Sequence, residues 1–228
     1  NLINVLGADH TGYIKRISAA VSALSDKKVK LNCKVCQLVK LYKNGKPFKM
    51  SKRAGDFISA QDLLNEVDKD SIRFMMLNRS NDVELDFDFE KVKEKTKDNP
   101  VYYVQYAFAR INSITRAVNK SLNDDIILTE DTFSPNDYEV KILRKIFEWP
   151  KIIESAAYKL EPHKIPFYLY ELSTLFHSYW SKGNEDSNYR FLENGKVKRI
   201  EVLVFINLIS IIIKNGMNIL GVSLPEKM

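Results

Sequence analysis

Asp98-Asn99-Pro100-Val101-Tyr102-Tyr103-Val104-Gln105-Tyr106-Ala107-Phe108-Ala109-Arg110 divides this 228-residue chain into two kinds of sequence. Asn99 offers a side-chain oxygen to the first free N–H groups of a helix, and Pro100 stands at the first helical position, where its missing N–H is no loss. Val104, Phe108, Ile111, Thr115 and Val118 then fall on one face at helical spacing, which predicts a helix running to about residue 122. Tyr102 and Tyr106 project away from that face, and Tyr103 lies on its border. Downstream the pattern is helical throughout, with helices expected over 137–149, 151–160, 164–182 and 196–216. Pro135, Pro150, Pro162, Pro166 and Gly183 punctuate them, and no strand is expected after Pro100.

Upstream, strands and helices alternate. Residues 2–6 form an apolar run ending at Gly7, as a buried parallel strand would. Residues 11–24 carry Ile14, Ile17, Val21 and Leu24 on one helical face. Residues 34–42 read as a second strand, and Lys43-Asn44-Gly45-Lys46 as a hairpin turn, because Asn-Gly readily takes positive φ at both central positions. Ser59 with Asp62 is a helix start, with Leu63, Leu64 and Val67 as its apolar stripe. A short helix over 70–78 is expected to turn Ile72, Met75 and Met76 inward, and residues 85–90 are extended. The fold class expected is therefore α/β followed by all-α, with domains at 1–94 and 95–228.

Bulk properties agree with a globular protein. Hydrophobic residues make up 45% and charged residues 28%, which excludes intrinsic disorder. The net charge of +6 suits an anionic partner such as nucleic acid, though many soluble proteins carry as much. The most apolar run, residues 202–213, is shorter than the roughly 20 residues of a membrane span and reads as a buried helix. Cys33 and Cys36 have the C-x-x-C spacing, but four zinc ligands are needed and the three histidines lie far off in sequence. Two inert thiols in a reducing cytosol are expected, with no structural metal. No signal peptide is visible, and Asn1-Leu2-Ile3 reads as the interior of a strand, the expectation for a piece of a longer protein.

Lys49-Met50-Ser51-Lys52-Arg53, followed by Ala54-Gly55-Asp56, is the stretch that carries chemistry. Two lysines three apart on a short loop can converge on one anionic ligand. Ser51 adds a hydroxyl, and Gly55 frees the backbone to bend. Such a loop suits a triphosphate, whose developing charge the ammonium groups stabilise as pyrophosphate departs. A bare K-x-x-K-R is often only a solvated charge cluster on a turn.

The longer string resembles the K-M-S-K-S signature of class I aminoacyl-tRNA synthetases, with Arg53 at the fifth position. Gly7-Ala8-Asp9-His10-Thr11-Gly12-Tyr13 is similar to the G-A-D-H-x-G-Y segment of bacterial arginyl-tRNA synthetases. Asp98 to Arg110 is close to the D-N-P-V-Y-Y-V-Q-Y-A-H-A-R helix of that family, with Phe108 replacing a histidine. The resemblance covers essentially the whole chain. It implies the C-terminal remnant of a Rossmann-like catalytic domain joined to an α-helical anticodon-binding bundle. It also implies that the H-I-G-H motif, most arginine contacts and an N-terminal tRNA domain lie upstream of Asn1, so that this chain alone would not ligate.

By that resemblance Lys52, Lys49 and Ser51 serve catalysis, and Gly7, Asp9, His10, Met50, Lys49 and Lys52 seat ATP, which enters with Mg2+ as a substrate. Asp9 could instead only cap the helix that follows it. For RNA, aromatics stack bases while basic groups hold phosphates. Tyr102, Tyr106, Arg110, Tyr179, Trp180 and Met228 are the candidates; most aromatics at helical spacing are core, but Tyr179 and Trp180 end a helix beside a polar loop and are expected to be partly exposed. Met228 is carried over from family chains that end, as here, in L-G-V-x-x-P-E-x-M. The implied partners are arginine, ATP and the tRNA for arginine, with no membrane, a cytoplasmic setting and a monomeric full-length enzyme. Two other readings stay open: a stand-alone, non-catalytic tRNA- or RNA-binding module, and a class I synthetase for another amino acid.

Overall fold

In this computed structural model the expected Asn-Gly turn is present, with φ of 52° at Asn44 and 70° at Gly45, and a second one that was not anticipated has 51° at Asn194 and 77° at Gly195. The structure describes residues 1–48, 58–119, 134–199 and 201–228. The chain forms two compact units: Asn1–Val67 with Arg79–Val92, and Asp68–Asn78 with Lys93–Met228.

In the first unit β1 (Leu2–Gly7) leads through a 3₁₀ turn (Ala8–Tyr13) into α1 (Ile14–Leu24), and the chain returns as β2 (Leu31–Cys36), parallel to β1. The strand expected over 34–42 is two strands, because residues 37 and 38 step from one sheet to another. β3 (Val39–Lys43) makes the hairpin with β4 (Lys46–Pro47) and pairs in parallel with β5 (Leu85–Asp88). The Gln37 N–H donates to the Asn81 carbonyl at that step. β1 is parallel as expected but not buried: Leu2, Ile3 and Val5 are 49%, 54% and 64% exposed. A two-stranded sheet covers too little of either face. α2 (Ala60–Glu66) opens on the expected box, with the Asp62 N–H donating to Ser59 Oγ and the Ser59 N–H to Asp62 Oδ2.

The second unit begins with α3 (Lys69–Leu77), which buries Phe74 rather than Met75 or Met76. After α4 (Phe89–Lys93), α5 starts at Pro100 as expected and is described to Asn119. The expected cap is not made: Asn99 turns its amide nitrogen to the Glu94 carbonyl at 2.7 Å, and its side-chain oxygen does not accept from the helix N–H groups. α6 (Asp137–Lys159) runs straight through Pro150, where two helices were expected. A proline inside a helix costs about 3 kcal/mol. Ile142 and Ala156 are buried, and Ile146, Trp149 and Ile153 pack against the same core at alternating spacings of three and four. Each fully buried apolar side chain contributes roughly 1.5–3 kcal/mol, so the stripe outweighs the break.

α7 (Lys164–Glu185) and α8 (Glu201–Leu220) complete the bundle. α8 is long and apolar enough to cross a membrane, but Val202, Phe205, Ile206, Ile209, Ile213 and Met217 are buried on one face within the unit. Gly216 lets α8 approach α7: a Cβ there would stand 2.8 Å from both δ-carbons of Leu169. Strands are present after all in this unit, as the hairpin β6 (Leu192–Glu193) and β7 (Lys196–Val197).

Candidate nucleic-acid interface

Two helix faces and the chain end build the most chemically distinctive cavity. On α5, Tyr102, Tyr106 and Arg110 follow one another at four-residue steps, so their side chains share one side. On α7, His177 and Trp180 are three apart and also share a side. Tyr106, Ala109, Arg110, Ser113 and Ile114 of α5, Trp180 of α7, Leu192 of β6 and Met228 line a cavity of ≈ 320 Å³, and Tyr102 and His177 stand beside its wall rather than in it. That volume is enough for a small planar ligand.

Arg110 is its centre. The guanidinium carbon lies 4.4 Å from the Tyr106 ring centre and 5.1 Å from that of Trp180, so the cation is within cation–π reach of both aromatic rings. Arg110 Nη2 donates to Tyr106 Oη at 2.6 Å, and Nη1 lies 3.4 Å from His177 Nδ1. Tyr102 stacks on Tyr106 with ring centres 5.9 Å apart and 7° between planes. Burial drives the His177 pKa down to about 4, the nearby Arg110 charge acting the same way, although Tyr103 supports the protonated form as a hydrogen-bond acceptor. Among the candidates, then, Tyr106, Arg110, Trp180 and Met228 meet in one place, and Tyr102 extends the stack.

The route of the chain end is built locally. Gly221 has φ of +67°, the Gly221 N–H donates to the Asn218 carbonyl, and the Val222 N–H reaches back to that of Met217. This is the left-handed stop that turns a chain off a helix end, with Val222 buried as its apolar contact. Arg73 Nε donates to the Leu220 carbonyl exposed by that turn. The tail is then held along α5: Gln105 Nε2 donates to the Ser223 carbonyl, and Arg116 donates to that of Glu226 through both Nη atoms. Met228 reaches the cavity as a consequence.

Tyr179 is a correction. It is 2% exposed rather than open beside the loop. Its hydroxyl donates to Glu139 Oε1 at 2.7 Å and accepts from Asn136 Nδ2 at 3.0 Å, while burial and then Glu139 raise its pKa. Glu139 is fully buried, and Arg199 Nη2 stands 3.2 Å from its other oxygen. Tyr179 thus closes the N-terminal cap of α6, one residue along the helix from the wall of the cavity. Ala109, Ser113, Ile114 and Leu192 were not anticipated in the wall of the cavity, nor His177 behind Arg110. The i, i+3 step from His177 to Trp180, facing the Tyr106-to-Arg110 step, is the sequence signal that would have found the histidine.

The expected ATP side is described only in part. Lys49, Met50, Ser51 and Lys52 lie outside the described residues. Gly7 ends β1, and Asp9 folds back on it, so that a Cβ at Gly7 would stand 2.6 Å from Asp9 Oδ1. Asp9 and His10 are both exposed, with Asp9 Oδ2 3.5 Å from His10 Nε2. Neither the 3₁₀ turn nor α1 has a side-chain cap, so Asp9 stands at the end of a parallel strand without capping the helix. Cys33 and Cys36 are free thiols on β2. Among the described residues no group of three His, Cys, Asp or Glu side chains is placed to hold a metal ion.

A second cavity, ≈ 450 Å³, is lined by Phe108, Lys214, Asn215, Asn218, Val222, Leu224 and Glu226. Among the described residues, no cation in its wall stands against an aromatic ring.

The model of the DALR anticodon binding domain matches residues 104–228. The arginine–tRNA ligase of Pelagibacter ubique is 60% identical over 227 residues, a match that takes in all of this chain and 39% of that protein. The arginine–tRNA ligase of Ruegeria pomeroyi is 47% identical, with 40% of its length covered. The chain therefore spans about two fifths of the curated relatives it matches. A solved arginyl-tRNA synthetase structure from Campylobacter jejuni superposes on 99% of this chain and 47% of its own with a TM-score of 0.80 at 30% identity. That from Thermus thermophilus gives 0.70 at 21% identity and shares the fold.

Proposed function

The chain belongs to the DALR anticodon binding domain family, and on that premise we propose that it is the C-terminal part of an arginine–tRNA ligase whose helical unit reads the tRNA anticodon. The observation that carries the RNA reading is the cation of Arg110 against the rings of both Tyr106 and Trp180 in a cavity open to solvent. An unstacked base has two π-faces and a hydrogen-bonding edge. A cavity with aromatic walls and unspent guanidinium N–H groups matches both requirements, whereas a phosphate would need only charge. Tyr102 continues the stack outward, and Met228 supplies a soft apolar wall.

In the complete enzyme the arginine carboxylate attacks the α-phosphorus of ATP, forming arginyl adenylate and releasing pyrophosphate, and a tRNA hydroxyl then takes the arginyl group and releases AMP. Lys52, with Lys49 and Ser51, stabilises the departing pyrophosphate, while Gly7, Asp9, His10 and Met50 seat the nucleotide. Mg2+ arrives with ATP. The exposed apolar residues of β1 are accounted for if the rest of a Rossmann-like domain covers them. The domain division expected at 1–94 and 95–228 and a monomeric, cytoplasmic enzyme complete the proposal.

Two substitutions in the full-length protein test it. Tyr106→Ala weakens binding of a transcribed arginine tRNA by roughly tenfold to a hundredfold, the range for loss of one base stack, without altering arginine-dependent pyrophosphate exchange measured at saturating tRNA. Lys52→Ala abolishes most of that exchange and leaves tRNA affinity unchanged. Unaltered tRNA binding by the first protein, or unaltered exchange by the second, removes the corresponding half of the proposal.

A further inference from the structure

We infer that His177 is a positioning residue: through Nδ1 it fixes the plane of the Arg110 guanidinium, so that the remaining N–H groups of Arg110 face the cavity. The inference rests on the reading of that cavity as an RNA site. The geometry decides the tautomer. His177 Nε2 lies 3.2 Å from the Tyr103 carbonyl oxygen, which can only accept, so Nε2 carries the hydrogen. Nδ1 is then a bare lone pair, and it faces Arg110 Nη1, which can only donate. A protonated imidazole would set two donors against each other. The surroundings hold the ring in the neutral form: Tyr103 and Tyr106 from α5 and Phe176 on its own helix lie against it, and Arg110 is the charged group that faces it.

The guanidinium has five N–H groups in a rigid fork. One is spent on Tyr106 Oη and one on His177 Nδ1, bonds that point in different directions from the same plane. Two fixed directions determine the rotation of the fork, which neither stacking contact does alone, because a ring face tolerates any rotation of the cation above it. His177 is 7% exposed, so it meets a ligand only through Arg110. Its effect is therefore on the edge of the base that Arg110 reads.

A double-substitution cycle in the full-length protein tests this, with a transcribed arginine tRNA as the probe. His177→Phe keeps an aromatic ring and loses the acceptor; binding weakens roughly tenfold, the scale of one hydrogen bond to a charged group. His177→Asn places an amide oxygen near the Nδ1 position and restores most of the affinity. In an Arg110→Ala background the further change His177→Phe alters binding by less than about twofold, because the two residues act as one unit. Effects that multiply, or an asparagine variant as weak as the phenylalanine one, overturn the inference while leaving the cavity as the RNA site. If Arg110→Ala itself binds normally, the RNA reading falls and the inference with it. Nitrogen NMR of the unaltered protein gives a check independent of any variant: a protonated Nε2 and a bare Nδ1 are expected, and the opposite tautomer overturns the assignment.

Discussion

The helical unit and the α/β unit use similar proportions of apolar residues to different ends. In the helical unit Leu169, Leu172, Phe176, Ile213 and Met217 are wholly enclosed, and polar groups such as Glu139 and His177 are buried with their partners. In the α/β unit none of the described residues of β1, α1, β2 and α2 is fully buried; its enclosed apolar residues are Val67, Leu85, Phe87, Phe89 and Val92. Leu24, on the apolar face of α1, is 89% exposed. The difference teaches that periodicity reports which face is apolar, not what covers it.

The widest separation between the units should appear on truncating one leucine in each. Leu172→Ala lowers the stability of the helical unit by about 2–5 kcal/mol, through lost transfer energy and an unfilled cavity. Leu24→Ala changes stability by less than about 0.5 kcal/mol. Urea titration followed by far-ultraviolet circular dichroism measures both, and comparable losses would break the contrast.

Acid separates the units next. The His177 pKa is lowered from 6.5 to about 4 by burial. As pH falls, the unfolded chain takes up this proton before the folded one does, so stability is fully present above 6.5 and is lost as pH falls through about 4. One pKa unit corresponds to about 1.4 kcal/mol, which makes the contribution up to roughly 3 kcal/mol. The slope of stability against pH across that window should flatten in His177→Asn. A slope equal to that of the unaltered protein would assign the acid sensitivity to carboxylates instead.

The smallest effect uses the hairpin turn that the units share. Gly45 and Gly195 have φ of +70° and +77°, and a Cβ at either meets nothing within 4 Å. An alanine at either position therefore carries a backbone penalty alone, about 1–2 kcal/mol. Amide hydrogen exchange in the two hairpins should rise by a similar factor. A much larger rise at Gly195→Ala would show that its hairpin is coupled to the cavity wall through Leu192.

Much of this was readable from local chemistry. The Ser59–Asp62 box, the Asn44-Gly45 turn and the start of α5 at Pro100 are each specified by residues adjacent in sequence. Features set by distant partners were not. Pro150 looks like a stop because its local penalty is visible, whereas the core stripe that carries α6 past it is not. The Asn194-Gly195 turn has the same signature as Asn44-Gly45, yet it was hidden among helices. Tyr179 and Trp180 are neighbours in sequence with opposite fates. A helix turns about 100° per residue, so one faces Glu139 and the other faces Arg110. The candidates Tyr106, Arg110, Trp180 and Met228 came from the family resemblance and from aromatic content; that they share a cavity could be seen only in three dimensions.

Trp180 has one more use. The chain has two tryptophans, and Trp149 stands against Tyr168 with ring centres 5.1 Å apart, away from the cavity. With Trp149 replaced by phenylalanine, indole emission would come from Trp180 alone. That indole has the Arg110 cation on one side and the edge-on ring of Phe191 on another. Its emission colour and yield would then depend on where the guanidinium sits and on whether a heterocycle has stacked beside it, so the site carries its own optical reporter.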